Sequence, residues 1–175
     1  MYLLRQLMEI ADKVKPGTYA AVRFDDDTVS KLVEYTVDAK IDNALTHEDF
    51  HTTLLYSRKH CSGYKAAGTY DKPMTGSNLK LEIWHPKKEN GSDDTDVNIL
   101  VIKFKSPELK KRHNDLMKEY EAEYDFDEYI PHVTLSYNAG PIDLKTLPDI
   151  SKYLDKLVIE SEYSEELKSN WSDDK

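Results

Sequence analysis

Along this chain, segments with apolar residues at helical spacing alternate with short runs rich in β-branched and aromatic residues. Leu3, Leu4, Leu7, Met8, Ala11 and Val14 predict an amphipathic helix at the N-terminus. Arg5, Glu9, Asp12 and Lys13 interrupt its apolar residues, so it does not read as a secretory signal peptide. Pro16-Gly17 stops that helix, and Thr18 to Phe24 (TYAAVRF) predicts a strand. Asp25-Asp26-Asp27 offers caps for a second helix from about Thr28 to Ala39, with Val29, Leu32, Val33 and Thr36 as its core stripe. Phe50 to Tyr56 (FHTTLLY) predicts a strand, and so does Leu79 to His85 (LKLEIWH), where Leu79, Leu81, Ile83 and His85 alternate with Lys80, Glu82 and Trp84. Pro86 to Asp96, rich in Lys, Asp, Asn, Gly and Ser, predicts an exposed loop. Val97 to Phe104 reads as a buried strand, and Pro107 opens a long helix with Leu109, His113, Leu116, Met117 and Tyr120 on one side. Strands at His132 to Tyr137 and Lys156 to Tyr163 follow, and the acidic end WSDDK either frays or folds back on Trp171.

The resulting order, αβαβ followed by ββαββ, lacks the βα alternation of a doubly wound sheet, and neither GxGxxG nor GxxxxGK[ST] is present. An α+β fold with largely antiparallel sheets is the expectation. At 175 residues the chain suits one domain, or two small lobes sharing a core. Lys and Arg total 24 against 33 Asp and Glu, a formal charge of −9. Long duplex nucleic acid and acidic membrane repel such an anion, whereas a small anionic ligand in a locally basic cleft does not conflict with it. The single cysteine, Cys61, excludes an intrachain disulfide and fits a reducing compartment. No apolar stretch approaches the ~20 residues of a membrane-spanning helix. A soluble cytoplasmic protein, monomeric or weakly oligomeric, is expected.

One short pattern occurs twice. His51-Thr52-Thr53-Leu54-Leu55-Tyr56 and His132-Val133-Thr134-Leu135-Ser136-Tyr137 both read H-x-T-L-x-Y. In a strand, residues i and i+2 share a face, so His51 pairs with Thr53 and His132 with Thr134, while Leu54 and Leu135 point the other way. Two such strands side by side would present two imidazoles and two hydroxyls to one cleft. That set suits phosphodiester cleavage without a metal. One imidazole removes a proton from the attacking hydroxyl and the other protonates the leaving oxygen, and histidine has both forms accessible near neutrality. The threonine hydroxyls can donate to non-bridging phosphate oxygens as charge shifts. His60-Cys61-Ser62 also fits H-x-[ST], but no strand surrounds it.

The motifs HTTL and PHVTL, separated by 81 positions from His51 to His132, resemble those of the 2H phosphoesterases, a fold of two pseudo-symmetric lobes around a central cleft with one H-x-[TS] strand from each. Longer blocks, VKPGTYAAVRF, HTTLLYSRK, SPELKKRHNDLMKEY, YDFDEYIPHVTLSY and EYSEELKSNW, resemble the phage anti-CBASS cyclic-oligonucleotide phosphodiesterases across most of the chain, with residues 86–96 looking like an insertion. The resemblance implies a metal-independent enzyme, without cofactor, that destroys cyclic di- and trinucleotide messengers of a bacterial defence system in the host cytoplasm. It implies attack of a ribose 2′-OH on the adjacent 3′–5′ phosphodiester, with His51, Thr53, His132 and Thr134 catalytic and either imidazole able to be base or acid. It also implies substrate contacts at Tyr19 and Trp171. Trp84, Tyr137 and Glu165 are further candidates, since bases need aromatic faces and an acceptor for their amino groups.

Among the basic residues, Arg58, Lys59, Lys103 and Lys105 could offset substrate charge, while Lys110, Lys111 and Arg112 read as one solvated helix face. Residues Glu160 to Glu166 suggest a lid over the cleft. Three other functions compete. His47-Glu48-Asp49-Phe50-His51 satisfies H-E-x-x-H, which on a helix would make a zinc hydrolase, although Thr52 and Thr53 favour a strand. A non-catalytic nucleotide sponge would not require two matched His-Thr pairs. A 2H phosphodiesterase acting on RNA ends or 2′,5′-oligonucleotides is compatible with the motifs but less so with the acidic balance.

Overall fold

The computed structural model describes residues 16–123, 126 and 128–167. The helix expected over Leu3 to Val14, and the tail carrying Trp171, lie outside the described residues. In chain order the elements are β1 (Gly17–Phe24), α1 (Asp26–Asp38), β2 (Thr52–Ser57), β3 (Gly68–Trp84), β4 (Ile99–Lys105), α2 (Pro107–Glu119), β5 (His132–Ser136) and β6 (Leu157–Leu167), with 3₁₀ turns at Leu144–Thr146 and Ile150–Lys152. None of the described helices is long and apolar enough to cross a membrane.

Local chemistry sets the helix boundaries. The Asp25 carboxylate accepts from the Thr28 backbone N–H and caps α1, while Ser106 accepts from Leu109 N–H and caps α2, with Pro107 in its first turn. Both caps satisfy donors that a helix start leaves without an intrahelical partner. α1 buries Thr28, Val29, Leu32, Tyr35 and Thr36, so Tyr35 joins the predicted stripe and Val33 only flanks it. α2 buries Leu109, His113 and Leu116, as the sequence pattern predicts.

The six strands pair antiparallel in the order β2-β1-β6-β3-β4-β5. β3 belongs to two half-sheets: residues 68–76 pair with β6 and residues 77–84 with β4. Where it changes partner, Asn78 takes φ 55°, and a Cβ on Gly76 would fall 2.4 Å from the Phe104 ring. Only glycine permits that approach. The first half of β3 is a strand the hydrophobic pattern does not predict, because Pro73 and Gly76 read as breakers. It survives because its register slips between Thr69 and Met74, which leaves Pro73 outside the ladder.

β6 pairs with β1 from Ile159 to Leu167 and, over Leu157 to Glu162, with β3 on its other side. The lid suggested for Glu160 to Glu166 is therefore not formed; those residues belong to β6, paired with β1. A second correction concerns Arg112, which is not part of a solvated face. Its guanidinium reaches the buried Glu162 carboxylate with Nε at 2.9 Å and Nη2 at 3.0 Å. The core is continuous across both half-sheets, joining Ala20, Val22, Leu54 and Leu55 to Leu100, Ile102, Val133 and Leu135. Residues 86–96 form the predicted exposed loop, closed by a Lys87–Asp93 bridge.

Candidate active site

The two motif strands, β2 and β5, are the outermost strands of the sheet, yet they meet. The Thr52 hydroxyl donates to the His132 carbonyl at 2.8 Å. This places the starts of both H-x-T-L segments against each other, as the two-lobed reading requires.

Each histidine is held in the same way. His51 Nδ1 lies 2.8 Å from the Asp49 carbonyl and His132 Nδ1 lies 2.9 Å from the Ile130 carbonyl, in both cases two residues upstream. A carbonyl oxygen only accepts, so each Nδ1 carries its hydrogen, and Nε2 is the nitrogen whose proton can be exchanged. Both rings are half-buried.

Both threonines have tyrosine partners. The Tyr19 hydroxyl lies 3.0 Å from Thr53 Oγ1, and the Tyr137 hydroxyl bonds with the Thr134 side chain. Burial raises the pKa of both tyrosines above the ordinary phenol value, so both stay protonated near neutrality and can donate to the threonine oxygen. That would leave each threonine hydrogen available for another acceptor.

The strands share a further feature that their spacing alone does not reveal. Ala20 pairs with Leu55 and Ala21 with Thr53, so Leu54 is an extra residue in β2. Leu100 pairs with Ser136 and Val101 with Thr134, so Leu135 is an extra residue in β5. Each motif leucine is thus a β-bulge, a device that bends a strand and re-aims its side chains. The carbonyls around these bulges are captured. Leu54 O accepts from His113 Nδ1 at 2.7 Å, Thr53 O from the Tyr129 hydroxyl at 2.7 Å, and Leu135 O from Leu45 N–H at 2.8 Å. His113 also stacks on Tyr129, with ring centroids 4.1 Å apart.

On the His51 side, a cavity of about 360 Å³ is bordered by Tyr19, Arg23, His51, Tyr137, Tyr163 and Glu165, among others. The register explains the grouping: Tyr19 is the cross-strand partner of Glu165, and Ala21 that of Tyr163. Arg23 lies over the Tyr163 ring at 4.3 Å. On the His132 side, Trp84 packs against the imidazole with ring centroids 4.4 Å apart, and its Nε1–H donates to Glu82 at 2.8 Å. Glu82 also binds Lys103 at 3.0 Å, and the Trp84 and Lys103 contacts hold its carboxyl below the usual range.

The structure therefore brings Tyr19, Tyr137, Glu165 and Trp84 to the neighbourhood of the His-Thr pairs, and Trp171 lies outside the described residues. Arg23, Tyr163, Glu82, His113 and Tyr129 were not singled out for the site from sequence. Arg23 and Tyr163 had a legible signal, since period two from Tyr19 and Glu165 puts them on the same strand faces. His47 to Asp49 form a turn rather than a helix, so the His47 and His51 pair lacks the one-turn spacing that a zinc helix supplies.

Comparison with known proteins fits this geometry. The sequence profile of the family described as Anti-CBASS protein Acb1 matches residues 16–174. Proteins of that name from Enterobacteria phage T4 and Salmonella phage S16 are similar to the chain. The T4 protein is 33% identical over 168 residues, covering 96% of this chain and 99% of its own. The S16 protein is 32% identical over 158 residues, covering 90% and 93%. Among solved structures, Escherichia coli LigT complexed with 3′-AMP superposes with a TM-score of 0.56 over 86% of each chain, at 11% identity.

Proposed function

The chain belongs to the anti-CBASS Acb1 family and has the fold of the 2H phosphoesterases, and from that premise we propose that it is a metal-independent phosphodiesterase cleaving 3′–5′ bonds of cyclic di- and trinucleotide messengers in the host cytoplasm. The observation that supports this reading is the junction of the two motif strands, where Thr52 Oγ1 meets His132 O and each imidazole is oriented by a carbonyl two residues upstream.

In this mechanism the ribose 2′-OH attacks the adjacent phosphorus. Nε2 of one imidazole takes its proton as the O–P bond forms. The bond from phosphorus to the 5′ oxygen breaks, and that oxygen takes a proton from Nε2 of the other imidazole. The products are a 2′,3′-cyclic phosphate and a 5′-hydroxyl. Thr53 and Thr134 donate to the non-bridging oxygens, and this stabilisation is greatest when charge accumulates there in the transition state. The backbone-anchored Nδ1–H groups keep each ring in the tautomer that this exchange requires. Tyr19, Trp84, Tyr137, Glu165 and Trp171 serve as contacts to the bases.

The test is product analysis by chromatography and mass spectrometry after incubation with 3′,3′-cyclic GMP–AMP in excess EDTA. Linear products ending in a cyclic or terminal phosphate are expected. His51→Ala or His132→Ala should lose roughly a hundredfold or more in rate while keeping the fold. Near-wild-type turnover in either variant would overturn the mechanism. Intact cyclic substrate with cleavage of 2′,5′-linked oligonucleotides would redirect the substrate class, and activity dependent on added zinc would contradict the metal-free chemistry.

A further inference from the structure

A second cavity lies beside Ile130 and Pro131, which lead into His132. It encloses about 710 Å³, within the range of small-molecule sites. Lys80, Lys103, Lys105 and Lys110 line it, and Glu128 is the one carboxylate among the described residues that line it. The sheet register explains why these lysines converge. Lys80 of β3, Lys103 of β4 and His132 of β5 are successive cross-strand partners, a single row across three strands. Lys105 shares the face of Lys103 by period two. Lys110 comes from the first turn of α2, whose N-terminal end adds partial positive charge.

This arrangement works against folding unless something compensates it. Lys80 and Lys103 are directly opposite one another, and like charges so placed destabilise a sheet. Glu82 binds Lys103, but among the described residues Lys80, Lys105 and Lys110 form no ion pair within 4.0 Å. A chain with a net charge of −9 nevertheless gathers four cations in one cavity. Tyr129 and Pro131 supply an apolar wall, and Pro131 immediately precedes His132. Cations against an apolar wall suit a phosphate joined to a nucleoside.

We propose, building on the phosphodiesterase reading, that this cavity is the subsite for the second, non-reacting phosphate of a cyclic oligonucleotide. Lys80, Lys105 and Lys110 contact its non-bridging oxygens, and Glu82 holds Lys103 in the same row. A ring whose scissile phosphate lies between the imidazoles then presents its other phosphate to the lysines. A linear dinucleotide with one diester has no group to place there, so the subsite discriminates a cyclic messenger from a short RNA fragment.

The test uses Lys80→Gln/Lys105→Gln/Lys110→Gln in the full chain, beside a control carrying Lys72→Gln, Lys118→Gln and Lys145→Gln. Both keep the net charge change equal. Substrates are 3′,3′-cyclic GMP–AMP and the one-phosphate dinucleotide GpA. For the cyclic substrate KM should rise about tenfold in the first variant, with kcat within about twofold, and the control should stay near wild type. The loss on the cyclic substrate should exceed that on GpA by about fivefold or more. Equal losses on both substrates, or equal losses in the control, would reduce the lysines to a general field and overturn the subsite; no loss would also overturn it. Binding is scored separately from turnover by measuring the Kd of 3′,3′-cyclic GMP–AMP in a His51→Ala background with and without the three substitutions. About tenfold weakening is expected, and an unchanged Kd overturns the subsite. A wild type that binds the ring without cleaving it would refute the phosphodiesterase reading alone, whereas failure to bind would refute both.

Discussion

Replacing Glu162 by glutamine removes the counter-charge from Arg112 and disturbs a fully enclosed acceptor. Glu162 lies on β6 and is 2% exposed. Its two oxygens accept from Arg112 Nε and Nη2 at 2.9 and 3.0 Å, from the Tyr64 and Tyr70 hydroxyls at 2.7 Å each, and from Ala67 N–H at 2.8 Å. Burial alone would raise the carboxyl pKa, but these donors outweigh it and hold the group below the usual carboxylate range. Glutamine keeps the shape while turning an amide donor towards other donors. Removing one partner of a buried ion pair costs about 3–5 kcal/mol, a large share of a typical total of about 5–15 kcal/mol. For a domain of this size each kcal/mol shifts Tm by about 2–4 °C, so the melt should fall by roughly 6–20 °C. Urea titration and thermal melts of Glu162→Gln, Arg112→Met and the double variant would measure it. The double variant should cost less than the two single losses together, because the same ion pair is removed twice, yet it should not return to wild type. Glutamine keeps one acceptor oxygen, so the donors on its other side, either Tyr70 or Tyr64 with Ala67, would still lack theirs. Glu160→Gln, exposed on the same strand, should stay within about 0.5 kcal/mol. Since the folded pKa is depressed, the charge of Glu162 contributes its full stability above the unfolded value of about 4.3, and that stability is lost as pH falls through the folded value. The gap between wild type and Glu162→Gln should therefore narrow in acid. A variant within about 0.5 kcal/mol of wild type near neutral pH would refute the reasoning.

Four further outcomes test how the site is supported. Tyr129→Phe removes the 2.7 Å bond to Thr53 O but keeps the ring on His113, and should cost about 1–3 kcal/mol in urea unfolding; no change would mean that water satisfies that carbonyl. His113 is held below its ordinary pKa by burial, so the stability it contributes is full above about pH 6.5 and is lost as pH falls through its folded value. His113→Asn, which can still donate to Leu54 O, should flatten that acid-side decline; an unchanged pH profile would place the decline elsewhere. Trp84→Leu removes the ring against His132 and the bond to Glu82, and should lower kcat/KM on a cyclic dinucleotide roughly tenfold without loss of fold. Tyr19→Phe removes the partner of Thr53 Oγ1 and should lower kcat by roughly ten- to a hundredfold, with KM little changed if the hydroxyl acts through the threonine.

How much the sequence discloses depends on the range of the interaction. His51, Thr53, His132 and Thr134 are legible because their chemistry repeats at a spacing that period two converts into a shared face. The order of elements is legible for the same local reason, from the Asp25 cap and the Pro107 helix start to the alternation of β3 after Leu79. Arg112 is misread because it stands among Lys110 and Lys111, and its partner Glu162 is fifty positions away on another element. Lys103 is similarly ambiguous as a sequence residue, and only the register of β4 with β5 puts it beside His132. The first half of β3 is hidden by Pro73, which a strand tolerates only where its register slips.

The bulges at Leu54 and Leu135 bend both H-x-T-L segments at the two ends of the sheet. β2 and β5 are the two edges of a curved six-stranded sheet and touch where Thr52 meets His132. Two edges with open N–H and C=O groups at that distance would be expected to pair, and pairing would close the sheet into a barrel with no cleft. The extra leucine interrupts the ladder that each strand makes with its inner neighbour, β1 for β2 and β4 for β5, and bends the strand there. The carbonyls that would otherwise invite pairing are taken by His113, Tyr129 and Leu45. Both leucines are fully buried, so the apolar energy of the core holds the bend in place while the histidine and threonine before it keep the opposite face. Each motif leucine thus shapes the edge on which its candidate histidine and threonine stand, by anchoring a bend in the core directly after them.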